Sequence, residues 1–178
     1  MNKQYYKAIF AALALSYFLY YASSAFNNAS GDNWHFIDNV NLLIHEGGHI
    51  VFMPFGMFIY VLGGSLMQCL LPTIFVFYFW IRKEFYSAAL LLLWVGQNFI
   101  NVSVYAGDSV RMELPLLGGE TSIHDWHWIL SDLNALKYTD QIAAFLFWIG
   151  LILIVAGGIA AMKFALSDPI GDNTKVNN

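Results

Sequence analysis

Polar side chains fall at widely spaced joints along this chain, and the apolar stretches between them are of membrane-spanning length. The first runs from about Ala8 to Phe26; as a helix rising 1.5 Å per residue it is long enough to cross a hydrocarbon core of roughly 30 Å. A polar connector from Asn27 to Asp38 follows, in which Trp34 and Phe36 suit a membrane interface. A second helix is predicted to start with Asp38 or Asn39 as its N-cap and to stop where Pro54 and Gly56 interrupt it. Beyond lie Met57 to Leu62, the pair Gly63-Gly64, and an apolar segment from Ser65 to Ile81 with Pro72 inside, closed by Arg82-Lys83-Glu84. Phe85 to Tyr105 forms another apolar helix, carrying Gln97, Asn98 and Asn101 in its later half, and Gln141 to Leu166 forms the last.

Between those two helices, Gly107 to Asp140 is the longest polar region, too rich in specific polar types to be a mere linker. Within it Asp125 to Leu136 is predicted to form a short helix entered through Thr121 to His124, with Trp126 and Trp128 against the interface. The tail from Ser167 to Asn178 is predicted to be disordered. The pattern as a whole predicts an all-α polytopic membrane helix bundle of about five transmembrane segments, broken or re-entrant after the second helix. Residues 1–166 then form one transmembrane domain with an outer loop at 107–140, and 167–178 form the tail.

Composition agrees. Hydrophobic residues make up 58% of the 178 positions and charged ones 11%, and the mean hydropathy is +0.56, so the expected surroundings are a lipid bilayer. The net charge of −4 offers no basic patch, which argues against nucleic acid as a partner. Cys69 is the single cysteine, sits in an apolar segment and reads as a small packing residue. Lys3 and Lys7 before the first apolar run also fit a signal peptide cleaved near Ser23-Ser24-Ala25. The length of the run and its tyrosines favour an uncleaved helix.

The second helix carries the chemistry. His45-Glu46-Gly47-Gly48-His49 is an HExxH sequence; on a helix the two imidazoles share a face about 6 Å apart, within reach of one Zn²⁺. Glu46 beside such an ion can take a proton from a metal-bound water and pass it to a leaving amine. Two imidazoles and a carboxylate on one turn are costly to bury in hydrocarbon unless they face an ion, a partner or a cavity. The other readings are a buried polar cluster or an ion pathway. Each Gly costs a helix interior about 1 kcal/mol relative to Ala, a loss commonly offset in membranes by close backbone approach.

Charge placement bears on topology. If residues 38–81 cross the membrane once overall, Lys3, Lys7, Arg82, Lys83, Lys163 and Lys175 lie on one side, and only Arg111 and Lys137 on the other. That distribution satisfies the positive-inside rule with a cytoplasmic N-terminus. It also puts the polar 107–140 region on the side of the HExxH turn.

A catalytic zinc usually takes three protein ligands and keeps a position for water. His124, in a Gly-flanked loop, and Asp108, at the end of the Asn-bearing helix, are the candidates for the third. Arg111 reads as an ion-pair partner of Asp108 or an oxyanion stabiliser, Asp125 as a group orienting a ligating imidazole, and Asn98 and Asn101 as substrate-binding or helix-bridging amides. Against these stand plainer roles: an interfacial i,i+3 pair for Asp108 and Arg111, and a helix cap for His124. His35 and His127 read as interfacial.

An HExxH with glycine in fourth place inside a membrane segment, followed by the Pro- and Gly-broken stretch from Pro54 to Gly64, resembles the site-2 protease family of intramembrane zinc metalloproteases. The resemblance implies that His45, His49 and a later aspartate bind zinc and that Glu46 is the general base. The family's later motif, asparagine, proline and then Asp-Gly on a third core helix, is absent: the helix from Phe85 to Tyr105 has no proline, and Asp108 is followed by Ser109. The run from Asp108 to Trp126 also resembles short bacterial membrane proteins that share the HExxH, so a bacterial inner membrane is the expected location.

These readings make the chain a zinc-dependent membrane metallopeptidase acting on a membrane-protein or peptide substrate. The alternatives are a hydrolase of a lipid or small amide on the same zinc site, and a non-enzymatic assembly or ion-handling membrane protein. Five histidines without HxxHH clusters disfavour a diiron oxygenase.

Overall fold

The structure is a computed structural model and describes residues 3–27, 34–114 and 123–167. Its helices are α1 (Lys3–Asn27), α2 (Phe36–Phe52), α3 (Met57–Ile81), α4 (Phe85–Gly107), α5 (Asp125–Asp132) and α6 (Thr139–Ser167), with 3₁₀ turns at Met53–Phe55 and Leu136–Tyr138. The described residues contain no strand. Four segments are long and apolar enough to cross a membrane: Gln4–Phe26, Met57–Ile81, Phe85–Gly107 and Leu136–Ser167. The HExxH helix α2 is not among them. At 17 residues it is about 26 Å long, against a core of roughly 30 Å, so four helices of the described residues, not five, are long and apolar enough to span.

Within residues 38–81 one helix, Met57–Ile81, is long and apolar enough to cross a membrane. Along α2, His45 meets Gly64 and Gln68, Gly48 meets Gly63, and His49 meets Tyr60. Rising numbers on α2 thus pair with falling numbers on α3, and α2 lies antiparallel along the first half of α3. The reversal between them is local. Pro54 sits in the 3₁₀ turn and Gly56 follows at φ +92°, a conformation that only glycine adopts without strain.

Gly63 and Gly64 do not break the chain. They lie inside a continuous α3, and their role is close approach: a Cβ on Gly48 would run into the carbonyl oxygen of Gly63, and one on Gly64 would land on the His45 ring. The glycine pair of the HExxH therefore divides. Gly48 is the packing residue, whereas a Cβ on Gly47 would meet nothing within 4 Å. Gly48→Ala should lower stability by about 1–3 kcal/mol, because two backbones must part. Gly47→Ala should be neutral or stabilising by up to about 1 kcal/mol through helix propensity. Thermal unfolding of the two variants in detergent separates them.

The α2 start also differs from the expected one. The helix begins at Phe36 after His35, and Asp38 on its first turn reaches back to accept from the His35 backbone N–H at 2.8 Å. Asp38 closes the cap from inside, because its side chain is also drawn inward to Tyr21 on α1 at 2.9 Å.

Helices α4 and α6 form the centre of the bundle. Gly96 and Gly150 face one another, each so close that a Cβ would lie 2.5 Å from the other's carbonyl oxygen. Leu93, Ile100 and Ile154 fill the space around them, with Tyr21 and Ala22 of α1. At one end, Tyr86 donates to the Lys7 carbonyl at 2.8 Å and Phe85 stacks on Phe164. That end carries Lys7, the Arg82-Lys83 turn and Lys163; the other end carries α2, α5, Arg111 and Lys137. The 118–122 loop expected to fold over the site and most of the tail, with Lys175, lie outside the described residues.

Candidate metal centre

Both histidines of α2 turn towards α5. His45 is buried, with Nδ1 3.3 Å from Oε1 of Gln68 and Nε2 2.9 Å from Oδ2 of Asp125. His49 directs Nδ1 to the Tyr60 carbonyl oxygen at 2.8 Å, and its Nε2 lies 3.2 Å from the same Asp125 oxygen. Each Nδ1 thus faces an oxygen acceptor and each Nε2 faces the Asp125 carboxylate; a metal ion would take the place of the proton between each Nε2 and that carboxylate. Metal-binding imidazoles are commonly fixed by a second hydrogen bond of this kind. His45, His49 and Asp125 each present one ligand atom, and the three atoms lie within 4.8 Å of one another. Donors on a tetrahedral ion at 2.0–2.1 Å stand about 3.3 Å apart, so the cluster is close to that size already. Two imidazoles and a carboxylate suit zinc and also several other divalent transition metals.

Asp125 is brought in by the docking of α5. It is the first residue of that helix, and its backbone N–H donates to the Tyr105 hydroxyl at 3.1 Å. Trp126 donates through Nε1 to Ser65 of α3 at 3.1 Å, His127 donates through Nδ1 to the Ser109 carbonyl at 2.7 Å, and Ile129 and Leu130 are buried. Trp126 is thus an anchor packed inside the protein rather than an interfacial side chain. Burial acts against the Asp125 carboxylate, but hydrogen bonds from His45 and His49 outweigh it and hold its pKa below the ordinary value.

Neither of the two residues expected to complete the site does so. His124 is the N-cap of α5: its Nδ1 accepts from the His127 backbone N–H at 3.3 Å, so Nε2 carries the proton and donates to Asp108 at 3.1 Å. Asp108 is fully buried and also accepts from the backbone N–H groups of Glu113 and Leu114 at 3.2 and 2.9 Å. Both are spent on each other and on backbone N–H groups after α4 and at the start of α5. Arg111 lies over Asp108 at 3.6 Å, the i,i+3 pair weighed above. Asp108→Asn should cost about 1–3 kcal/mol of stability, and both it and His124→Ala should keep the wild-type metal content of folded protein. Elemental analysis of each variant checks this.

The two asparagines behave differently. Asn98 is buried and donates to the Trp94 carbonyl of its own helix at 2.9 Å. Asn101 belongs to the site's surroundings, accepting from Gln68 at 2.6 Å. Glu46 is half-exposed, without a hydrogen bond among the described residues, and near enough for its charge to act on His49. It is free to serve a bound molecule.

Sequence reading assigned Asp125 an orienting role and did not single out Gln68 or Tyr60. The resemblance did point to an aspartate. Asp108, Asp125, Asp132 and Asp140 all follow the HExxH, and only the docking of α5 selects among them.

Fold and site together define an all-α, membrane-spanning protein with a His, His, Asp cluster that can hold a metal ion. No family model, curated protein or solved structure matches the chain.

Proposed function

We propose that the protein is a membrane-embedded zinc metallopeptidase in which His45, His49 and Asp125 hold the ion and Glu46 is the general base. The observation that carries this reading is the convergence of both HExxH Nε2 atoms on one carboxylate oxygen of a separate helix, with both Nδ1 atoms held from behind. The ligand set that the site-2 protease resemblance implies, two histidines and a later aspartate, has the same composition. Zinc, when bound, would polarise a scissile carbonyl and lower the pKa of a water to about 7. Glu46 sits on the turn between the two histidines, with its carboxylate available to take and return a proton. The basic end of the bundle faces the cytoplasm by the positive-inside rule, so the cluster opens toward the outer side of a bacterial inner membrane. There an extended segment of a membrane protein or peptide is the expected substrate.

Purified chain in nanodiscs is expected to contain about one zinc ion, and His45→Ala to contain less than a tenth of that. Wild-type protein without metal after zinc loading would remove this reading. Products of membrane extracts separate the substrate classes: new peptide termini support a peptidase, whereas released acyl chains or head groups with intact proteins point to a lipid or amide hydrolase.

A further inference from the structure

Behind His45 a continuous chain of buried and half-buried side-chain hydrogen bonds runs through α3 and α4 and back to α2. Gln68 turns Oε1 to His45 Nδ1 and donates from Nε2 to Asn101 Oδ1 at 2.6 Å. Asn101 donates from Nδ2 to Asp38 Oδ1 at 3.1 Å and to the Tyr21 hydroxyl at 3.1 Å. Asp38 lies seven residues before His45 on the same helix and is 4% exposed. Its two oxygens also accept from Tyr21 at 2.9 Å, Gln97 Nε2 at 3.2 Å and the His35 backbone N–H at 2.8 Å. A second branch ends on the same acid: Trp94 Nε1 donates to Asn41 Oδ1 at 3.0 Å, and Asn41 Nδ2 donates to Gln97 Oε1 at 2.8 Å.

The end groups give this chain a direction. An indole N–H can only donate and a carboxylate can only accept, whereas a primary amide does both and can face either way. Beside Asp38, Asn101 must present its NH₂ and so offers its oxygen to Gln68. Gln68 must then present its NH₂ to Asn101 and its oxygen to His45. An oxygen facing Nδ1 holds a proton there, so that when a metal ion replaces the proton between Nε2 and the Asp125 carboxylate, the ring is left as a neutral imidazole with its lone pair on Nε2. With both amides reversed, an NH₂ would face Nδ1, the ring proton would move to Nε2, and the metal position would be blocked.

We propose that Asp38 is a positioning residue that selects the metal-binding tautomer of His45 from two turns away, through Asn101 and Gln68. The inference rests on the metal-site reading above and adds to it a cause for the arrangement of His45. It also gives a function to the cluster of amides buried between α2, α3 and α4, groups that are otherwise costly in a membrane protein.

The test measures Zn²⁺ affinity of the full chain in nanodiscs by chelator competition. Asp38→Asn keeps the shape but can present either a donor or an acceptor to Asn101, and affinity is expected to fall about 10- to 100-fold, the range for lost outer partners of a ligand. Adding Gln68→Glu should restore affinity to within about threefold of wild type, because an acceptor-only group then faces Nδ1 directly. A purely structural role for Asp38 predicts no such rescue, since a carboxylate in place of the Gln68 amide would not rebuild the contacts that Asp38 makes. If Asp38→Asn does not fold, Gln68→Met and Gln68→Glu carry the same contrast, the first expected to weaken zinc binding and the second to preserve it. Wild-type protein that binds zinc, paired with an unchanged Asp38→Asn or an unrescued double variant, overturns the inference alone. Equal affinities in the two Gln68 variants do the same. Absence of zinc from the wild type would instead overturn the metal site and this inference with it.

Discussion

Replacing Asp125 with alanine is expected to strip the protein of stoichiometric zinc. Four-ligand zinc sites bind with roughly 10–16 kcal/mol, so an equal share is about 3 kcal/mol per ligand, or more than a hundredfold in affinity. The loss should exceed that share, because Asp125 is the one anionic member of the cluster and the only one that ties α5 to α2. Asp125→Asn should fall between alanine and wild type, since an amide oxygen can still coordinate but without charge. Elemental analysis and chelator competition read both. Asp108→Asn supplies the contrast: it removes a buried acid from the adjoining loop without touching His45 or His49. If Asp125→Ala keeps its zinc while Asp108→Asn loses it, the third ligand has been misplaced.

Glu46→Gln is expected to lower cleavage by about 10²- to 10⁴-fold, the usual contribution of a general base, and to leave bound zinc unchanged. The separation of the two effects is the point of the variant. Glu46 makes no hydrogen bond among the described residues and does not belong to the metal cluster, so its amide should disturb neither fold nor ligation. Assays on membrane extracts, with metal content measured on the same preparation, decide it. Full activity in Glu46→Gln would favour a metal-handling protein over a hydrolase.

Much of this site was legible before any coordinates. The spacing of His45 and His49 fixes both rings on one face of any helix, and α2 delivers them together. Charge placement favoured a single crossing of residues 38–81, and one helix there, Met57–Ile81, is long and apolar enough to span. Other features were legible only as residue types. Gly63-Gly64 and Pro54 look alike as breakers, yet Gly56 alone needs a positive φ, while Gly63 and Gly64 remain helical and seat α2. His124 and Asp108 carry good ligand chemistry, but their donors and acceptors are consumed by each other and by nearby backbone N–H groups. Gln68 attracts no notice in an apolar run until His45 is found against it.

Sequence by itself determined what depends on short range: long apolar helices, the i,i+4 pair of imidazoles, the acid between them and the turn at Pro54 to Gly56. These follow from helix periodicity, backbone sterics and the cost of polar groups in hydrocarbon, all of which act within a few residues. Tertiary structure decided which aspartate meets the histidines and which groups face the two nitrogens of the His45 ring. Those depend on how α5 seats against Ser65 and Tyr105, and on which end group each buried amide faces. Contacts between positions as far apart as His45 and Asp125 are set by packing across helices, and no local pattern encodes them.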